Sequence, residues 1–113
     1  MPRPDARTEQ RLSAFAREVE GALERLMVDS VKSFLVVLRH FLGLRGGDAP
    51  FAYGAVLAAG ETVLGPLPTL RRLLERRASR GRIDRRALRG EFAAYLAEIE
   101  RIVAAIDALA SDA

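Results

Sequence analysis

Nine arginines crowd into residues 71–89 against only Glu75 and Asp84, a local charge of +7. Arg72, Arg76 and Arg80 recur every four residues and so share one helix face. Arg82, Arg85 and Arg86 follow in the next turn, with Arg71, Arg77 and Arg89 around them. Guanidinium forks bind phosphate and carboxylate through paired N–H bonds. Unpaired like charges at this density repel one another. Arg72, Arg76, Arg80, Arg82, Arg85 and Arg86 are therefore the candidate contacts for a nucleic acid, a nucleotide or an acidic protein. A plainer reading stands beside that one: a solvated arginine surface, partly neutralised by the acidic helix that follows. No aromatic residue interleaves with the arginines, which counts against stacking of single-stranded bases.

Other chemistry finds little material. His40 is the single histidine and there is no cysteine. A helical di-metal site uses Glu-x-x-His, and Val37 stands three residues before His40. Glu18, Glu20, Glu24, Glu91, Glu98, Glu100 and Asp107 fall beside the apolar stripes and are expected on solvated faces. Glu61 is alone among apolar neighbours, placed to cap a helix or pair with an arginine. Gly43, Gly46 and Gly47 follow no strand and lack the Walker lysine, so they read as turn glycines. No catalytic residue, cofactor or metal ligand is expected.

The elements that position these groups are helices. In residues 83–110, Leu88, Phe92, Tyr95, Ile99, Ile102, Ile106 and Leu109 follow at spacings of 4, 3, 4, 3, 4 and 3. That is a heptad seam, and it needs a partner surface. Asp84 suits its N-cap, and Ile83 can pack on Leu88 as a hydrophobic staple. Gly90 is a weak point in the second turn.

At the other end, Leu12, Phe15, Val19, Leu23, Leu26 and Met27 form a stripe that continues through Val31, Phe34, Leu35, Leu38, Phe41 and Leu42. Val36 and Val37 make this part apolar nearly all round, which places it at the centre of a bundle. The spacing predicts one helix from Ala6 to Leu44, or two if Asp29-Ser30 breaks it. Residues 1–5 hold two prolines and are expected to fray. Asp48 is placed to cap a short helix over 49–62 with Pro50 in its first turn. Pro68 to Ser79 is a third segment, with Leu70, Leu73 and Leu74 inward and Gly81 left-handed just past its end. No segment alternates with period two. The expectation is an all-α, up-down bundle of four helices, or five, with the first and last long, forming one domain over residues 1–113.

Composition narrows the setting. Between Asp48 and Arg71 the uncharged runs are 12 and 9 residues, too short to span a bilayer and broken by Pro50, Pro66 and Pro68. MPRPDARTEQ has no apolar run of the signal-peptide kind. These features fit a cytoplasmic chain. Seventeen arginines against one lysine, with much Ala, Leu and Gly, resembles GC-rich bacterial coding. Two long apolar stripes, with few other helices to cover them, predict a homodimer.

The order VKSFLVVLRHFLGLRG, AYGAVLAAGE, PTLRRLLERR and AAYLAEIERIVAAIDAL resembles the helical substrate-binding domains of the HEPN and kanamycin-nucleotidyltransferase C-terminal type. The resemblance covers about 80 residues from Val31 onward. It implies a non-catalytic helper that presents substrate to a nucleotidyltransferase partner. The nuclease Arg–His motif of that family is absent, because Ser33, Phe34 and Leu35 occupy its arginine positions. The nucleotidyltransferase Gly-Ser and paired-Asp motif is absent as well.

Overall fold

A computed structural model describes residues 6–47 and 49–111. The expected fraying of residues 1–5 and the capping role of Asp48 lie outside the described residues. Among those described, four helices form an all-α bundle and no strand occurs: α1 (Ala6–Leu44), α2 (Tyr53–Leu64), α3 (Pro68–Ser79) and α4 (Leu88–Ser111). None of the helices is long and apolar enough to cross a membrane.

The first helix is unbroken. Ser30 does not interrupt it, because its hydroxyl bonds back to the Met27 carbonyl at 3.2 Å and also meets the Tyr95 hydroxyl on α4. At 1.5 Å per residue, 39 residues make a rod of roughly 58 Å. That rod sets the long dimension of a molecule measuring 63 × 32 × 18 Å. The radius of gyration is 18.1 Å, where a compact chain of this length would show about 13 Å. The excess comes from an overhang, since every residue of 6–19 is exposed.

The C-terminal half of α1 is the hub. Met27, Val31, Leu35, Leu38, Phe41 and Leu42 are buried there, and α2, α3 and α4 all pack on this helix. Each such side chain contributes roughly 1.5–3 kcal/mol on leaving water. On α4 the heptad seam turns inward as its spacing predicts. Leu88, Tyr95 and Ile102 are buried; Phe92, Ile99, Ile106 and Leu109 are half-buried against the same core. Tyr95 meets Phe34 edge-on, with ring centroids 5.9 Å apart. Burial pushes the Tyr95 hydroxyl pKa up, partly offset by its hydrogen bond to Ser30.

Glycine sets the approach of α2. A Cβ built on Gly60 would lie 2.5 Å from Leu38 Cδ2 and 3.0 Å from its Cγ. Leu38 is fully buried, so its displaced methyl must find room among packed neighbours. Gly60→Ala should therefore destabilise the fold by about 1–3 kcal/mol through overpacking, despite the higher helix propensity of alanine. A chemical denaturation midpoint unchanged or raised by this substitution would contradict the packing.

Several local expectations are corrected. The second helix begins at Tyr53, not near Ala49, so Pro50 lies ahead of it. Arg39 holds this connection, donating to the Pro50 carbonyl at 3.0 Å and to the Phe51 carbonyl, with its guanidinium 5.6 Å from the Phe51 ring centroid. The last helix begins at Leu88. Asp84 caps a preceding turn instead, accepting the Arg86 N–H at 3.1 Å on Oδ1 and the Ala87 N–H at 3.0 Å on its carbonyl. Ile83 and Leu88 are both buried in the core, but with Leu88 as the first residue of α4 they do not form the expected staple about an Asp84 cap. The left-handed residue after α3 is Arg80 (φ 57°), and Gly81 does not take that role.

Candidate functional site: an arginine-lined groove

The arginines stand on α3 and the loop after it, so whatever fixes the start of α3 fixes them. Residue Leu67, at its N-cap, offers no side-chain oxygen, and Pro68 at the first position has no N–H. The amides that remain free are taken by carboxylates from other helices. Glu98 on α4 is only 3% exposed and accepts the Thr69 N–H on Oε2 and the Leu70 N–H on Oε1, both at 2.9 Å. Glu61 on α2 accepts the Leu67 N–H at 3.0 Å and pairs with Arg71. The Leu67 amide bond holds the Glu61 carboxyl below its usual range; partial burial works against it, and Arg71 adds to it. Arg101 on α4 donates to the Leu64 and Pro66 carbonyls at 3.3 and 2.9 Å. The turn between α2 and α3 is thus bonded on its amide and carbonyl sides alike.

Three carboxylates expected on solvated faces are committed instead: Glu98, Glu24 and Glu91, the last half-buried and paired with Arg72. Glu98 is the buried cap just described. Half-buried Glu24 on α1 accepts the Ile83 N–H at 2.9 Å and ties the α3–α4 loop to α1. Glu61 does both things its isolation implied: it caps and it pairs.

The six candidate arginines do not form one patch. Arg72 is occupied by Glu91, which it grips with two bonds of 2.7 and 3.1 Å, and these hold its guanidinium more firmly protonated than usual. Arg76, Arg80, Arg82 and Arg85 line one groove of about 510 Å³ between α1 and the α3–α4 loop. Arg76 also donates to the Arg82 carbonyl across the groove's end. Arg85 approaches Glu20 at 3.9 Å, too long for a strong pair. Arg86 lines a neighbouring hollow of about 500 Å³ with Phe15, Val19 and Arg89.

Two groove residues lie outside the six candidates. Arg77 stands beside Arg76 on α3. Arg25 enters from α1, and no local pattern could have linked it to residues fifty positions later. In all, six arginines line the groove against Glu20, Glu24 and Asp29. The guanidinium groups of Arg77, Arg80 and Arg82 have no hydrogen-bond or ion-pair partner among the described residues. His40 is exposed on α1 and lines neither hollow. Chemically, the groove can hold anions. Guanidinium groups stay protonated at neutral pH and so do not exchange protons with a ligand.

No protein-family model matches this chain, no curated protein matches it, and no solved structure matches it.

Proposed function

We propose that this chain is a non-catalytic, self-associating recognition bundle that holds a phosphate-bearing substrate in its arginine groove and presents it to a partner enzyme of nucleotidyltransferase type. The observation that carries the reading is the convergence of Arg76, Arg80, Arg82 and Arg85 on one groove whose backbone is pinned at both ends. Arg77, Arg80 and Arg82, which have no carboxylate partner among the described residues, gain most when phosphate arrives, because their mutual repulsion is relieved. The resemblance of the sequence segments from Val31 onward to such substrate-binding domains supports the partner's class. The uncovered apolar residues of α1 support self-association, most simply as a dimer. A regulatory protein that takes a nucleic acid or an acidic partner in the same groove is the second reading. It is favoured by the position of the groove, which lies open to solvent between α1 and the α3–α4 loop.

Four guanidinium groups contacting four phosphates on a duplex would give a log–log salt slope of about −3.6. Arg76→Ala, Arg80→Ala and Arg82→Ala combined should leave a slope of about −1 and weaken binding equally for all sequences. Fluorescence anisotropy with labelled DNA, RNA and a nucleoside triphosphate, from 20 mM salt upward, reads this out. Absence of binding to all three at low salt would refute the groove as a phosphate site. Binding that survives the triple substitution would place the site elsewhere.

A further inference from the structure

The overhang of α1 carries its own seam. Leu12, Phe15, Val19, Ala22 and Leu26 follow at spacings of 3, 4, 3 and 4, the a/d pattern of a two-stranded coiled coil. This seam is distinct from the core-facing one, which runs through Met27, Val31, Leu35 and Leu38. Nothing among the described residues covers it: Leu12, Phe15, Val19 and Leu26 are 60, 63, 50 and 60% exposed. A long helix does not hold this much apolar surface in water without a partner.

Charge selects the occupant and its direction. Beside the seam, the g positions are Arg11, Glu18 and Arg25, and the e positions include Glu9, Ala16 and Leu23. In a parallel pair, g residues meet e residues of the other helix, so Arg11 would face Ala16 and Glu18 would face Leu23. No ion pair forms. In an antiparallel pair, g meets g. With Leu12 of each copy against Phe15 of the other, Arg11 meets Glu18 twice by symmetry. Sliding by one layer sets Glu18 against Glu18 and Arg11 against Arg25, which is repulsive. Sliding by a second layer restores a Glu18–Arg25 pair, but drives the overhang along α1 to Ser30, where α4 already packs through Tyr95. The first arrangement overlaps residues 6–21, the stretch the bundle leaves open. It also aims Glu9 of each copy at Ala16 of the other, on the edge of the hollow rimmed by Arg85, Arg86 and Arg89.

We propose that two copies of this chain dimerise by pairing their α1 overhangs antiparallel about a two-fold axis between Ser13 and Ala14, with Leu12 on Phe15 and Arg11 on Glu18. This rests on the self-association read above and adds its surface, direction and register. Like the sickle-type hazard of an open patch, an unpaired seam would invite chain-end association; a two-fold pairing closes it around Leu12 and Phe15 and leaves Leu26 beyond the overlap.

The absence of cysteine makes the test clean. Full-length L12C and F15C proteins, mixed under mild oxidation, should give the mixed L12C–F15C disulfide in excess over either homodimer, because Cα atoms more than about 7 Å apart do not bridge. In sedimentation equilibrium, R11E and E18R should each weaken the dimer about tenfold, and R11E/E18R should recover most of it. A wild-type chain that stays monomeric up to 100 µM overturns the self-association reading itself. A dimer that forms homotypic L12C disulfides, or that R11E leaves unchanged, overturns this pairing while the self-association reading stands.

Discussion

Glu98→Ala should lower the unfolding free energy by about 3 kcal/mol, although the residue is a carboxylate. The cost comes from what is left behind. In the intact protein the Thr69 and Leu70 amides each donate to this carboxylate at 2.9 Å. Hydrogen bonds to a charged group are worth about 1.5–3 kcal/mol each, and a buried donor left without a partner costs about 1–3 kcal/mol. The positive end of the α3 dipole adds to the attraction for the carboxylate. Desolvating a carboxylate opposes these gains, so the sum of the two bonds is an upper bound. Glu98→Gln should fall between wild type and alanine. One amide oxygen can still accept, while the NH2 group faces an N–H. Urea unfolding followed by circular dichroism gives the free energy, and hydrogen exchange at Leu70 locates the loss. A change below about 0.5 kcal/mol for Glu98→Ala would mean that α3 starts without this cap.

The signs of that arrangement are present in the sequence, in two places that point in opposite directions when taken singly. Glu98 lies three residues after Tyr95 and four before Ile102, which puts it on the buried line of α4. Charge pointed it to solvent; spacing pointed it inward. The Leu67-Pro68 start of α3 has no capping side chain, so two amides needed an acceptor from elsewhere. Reading the two facts together would have joined α3 to α4. Periodicity did place the four helices, the inward seam of α4 and the central position of α1 around Leu35, because those follow from which face is apolar. Helix ends were less legible. Pro50 and Asp84 are suited to helix starts, yet Arg39 on α1 holds the first in an extended connection and a separate turn takes up the second. Arg80, not Gly81, adopts the left-handed conformation. In the arginine cluster, composition revealed the charge but could not show that Glu91 neutralises Arg72. Nor could it show that Arg25 completes the groove from a helix half the chain away.

The other large effect should come from the hub. Leu35→Ala is expected to cost about 2–5 kcal/mol, in the upper half of that range. Leu35 is fully buried on the segment of α1 that also presents Met27, Val31 and Leu38 to the core. The loss has a transfer part and a cavity part. The cavity part depends on how far the neighbours can close in. Here they have little freedom. On the α2 side, Leu38 is pressed against Gly60; the α2–α3 turn is fixed by Glu61, Glu98 and Arg101. The core cluster that holds Leu35 is therefore built on helices with bonded ends, and the void should persist. Ile99→Ala should cost less, because Ile99 is only half-buried at the bundle's edge. Leu12→Ala is the internal reference: the same chemical change, at a site 60% exposed, should move stability by no more than about 0.5 kcal/mol at concentrations where the chain is monomeric. The three variants thus predict an order, Leu35 well above Ile99 and Ile99 above Leu12, in chemical denaturation with an unchanged denaturant slope. A Leu35→Ala cost as small as that of Leu12→Ala would remove α1 from the centre of the core and, with it, the rigid footing of the groove.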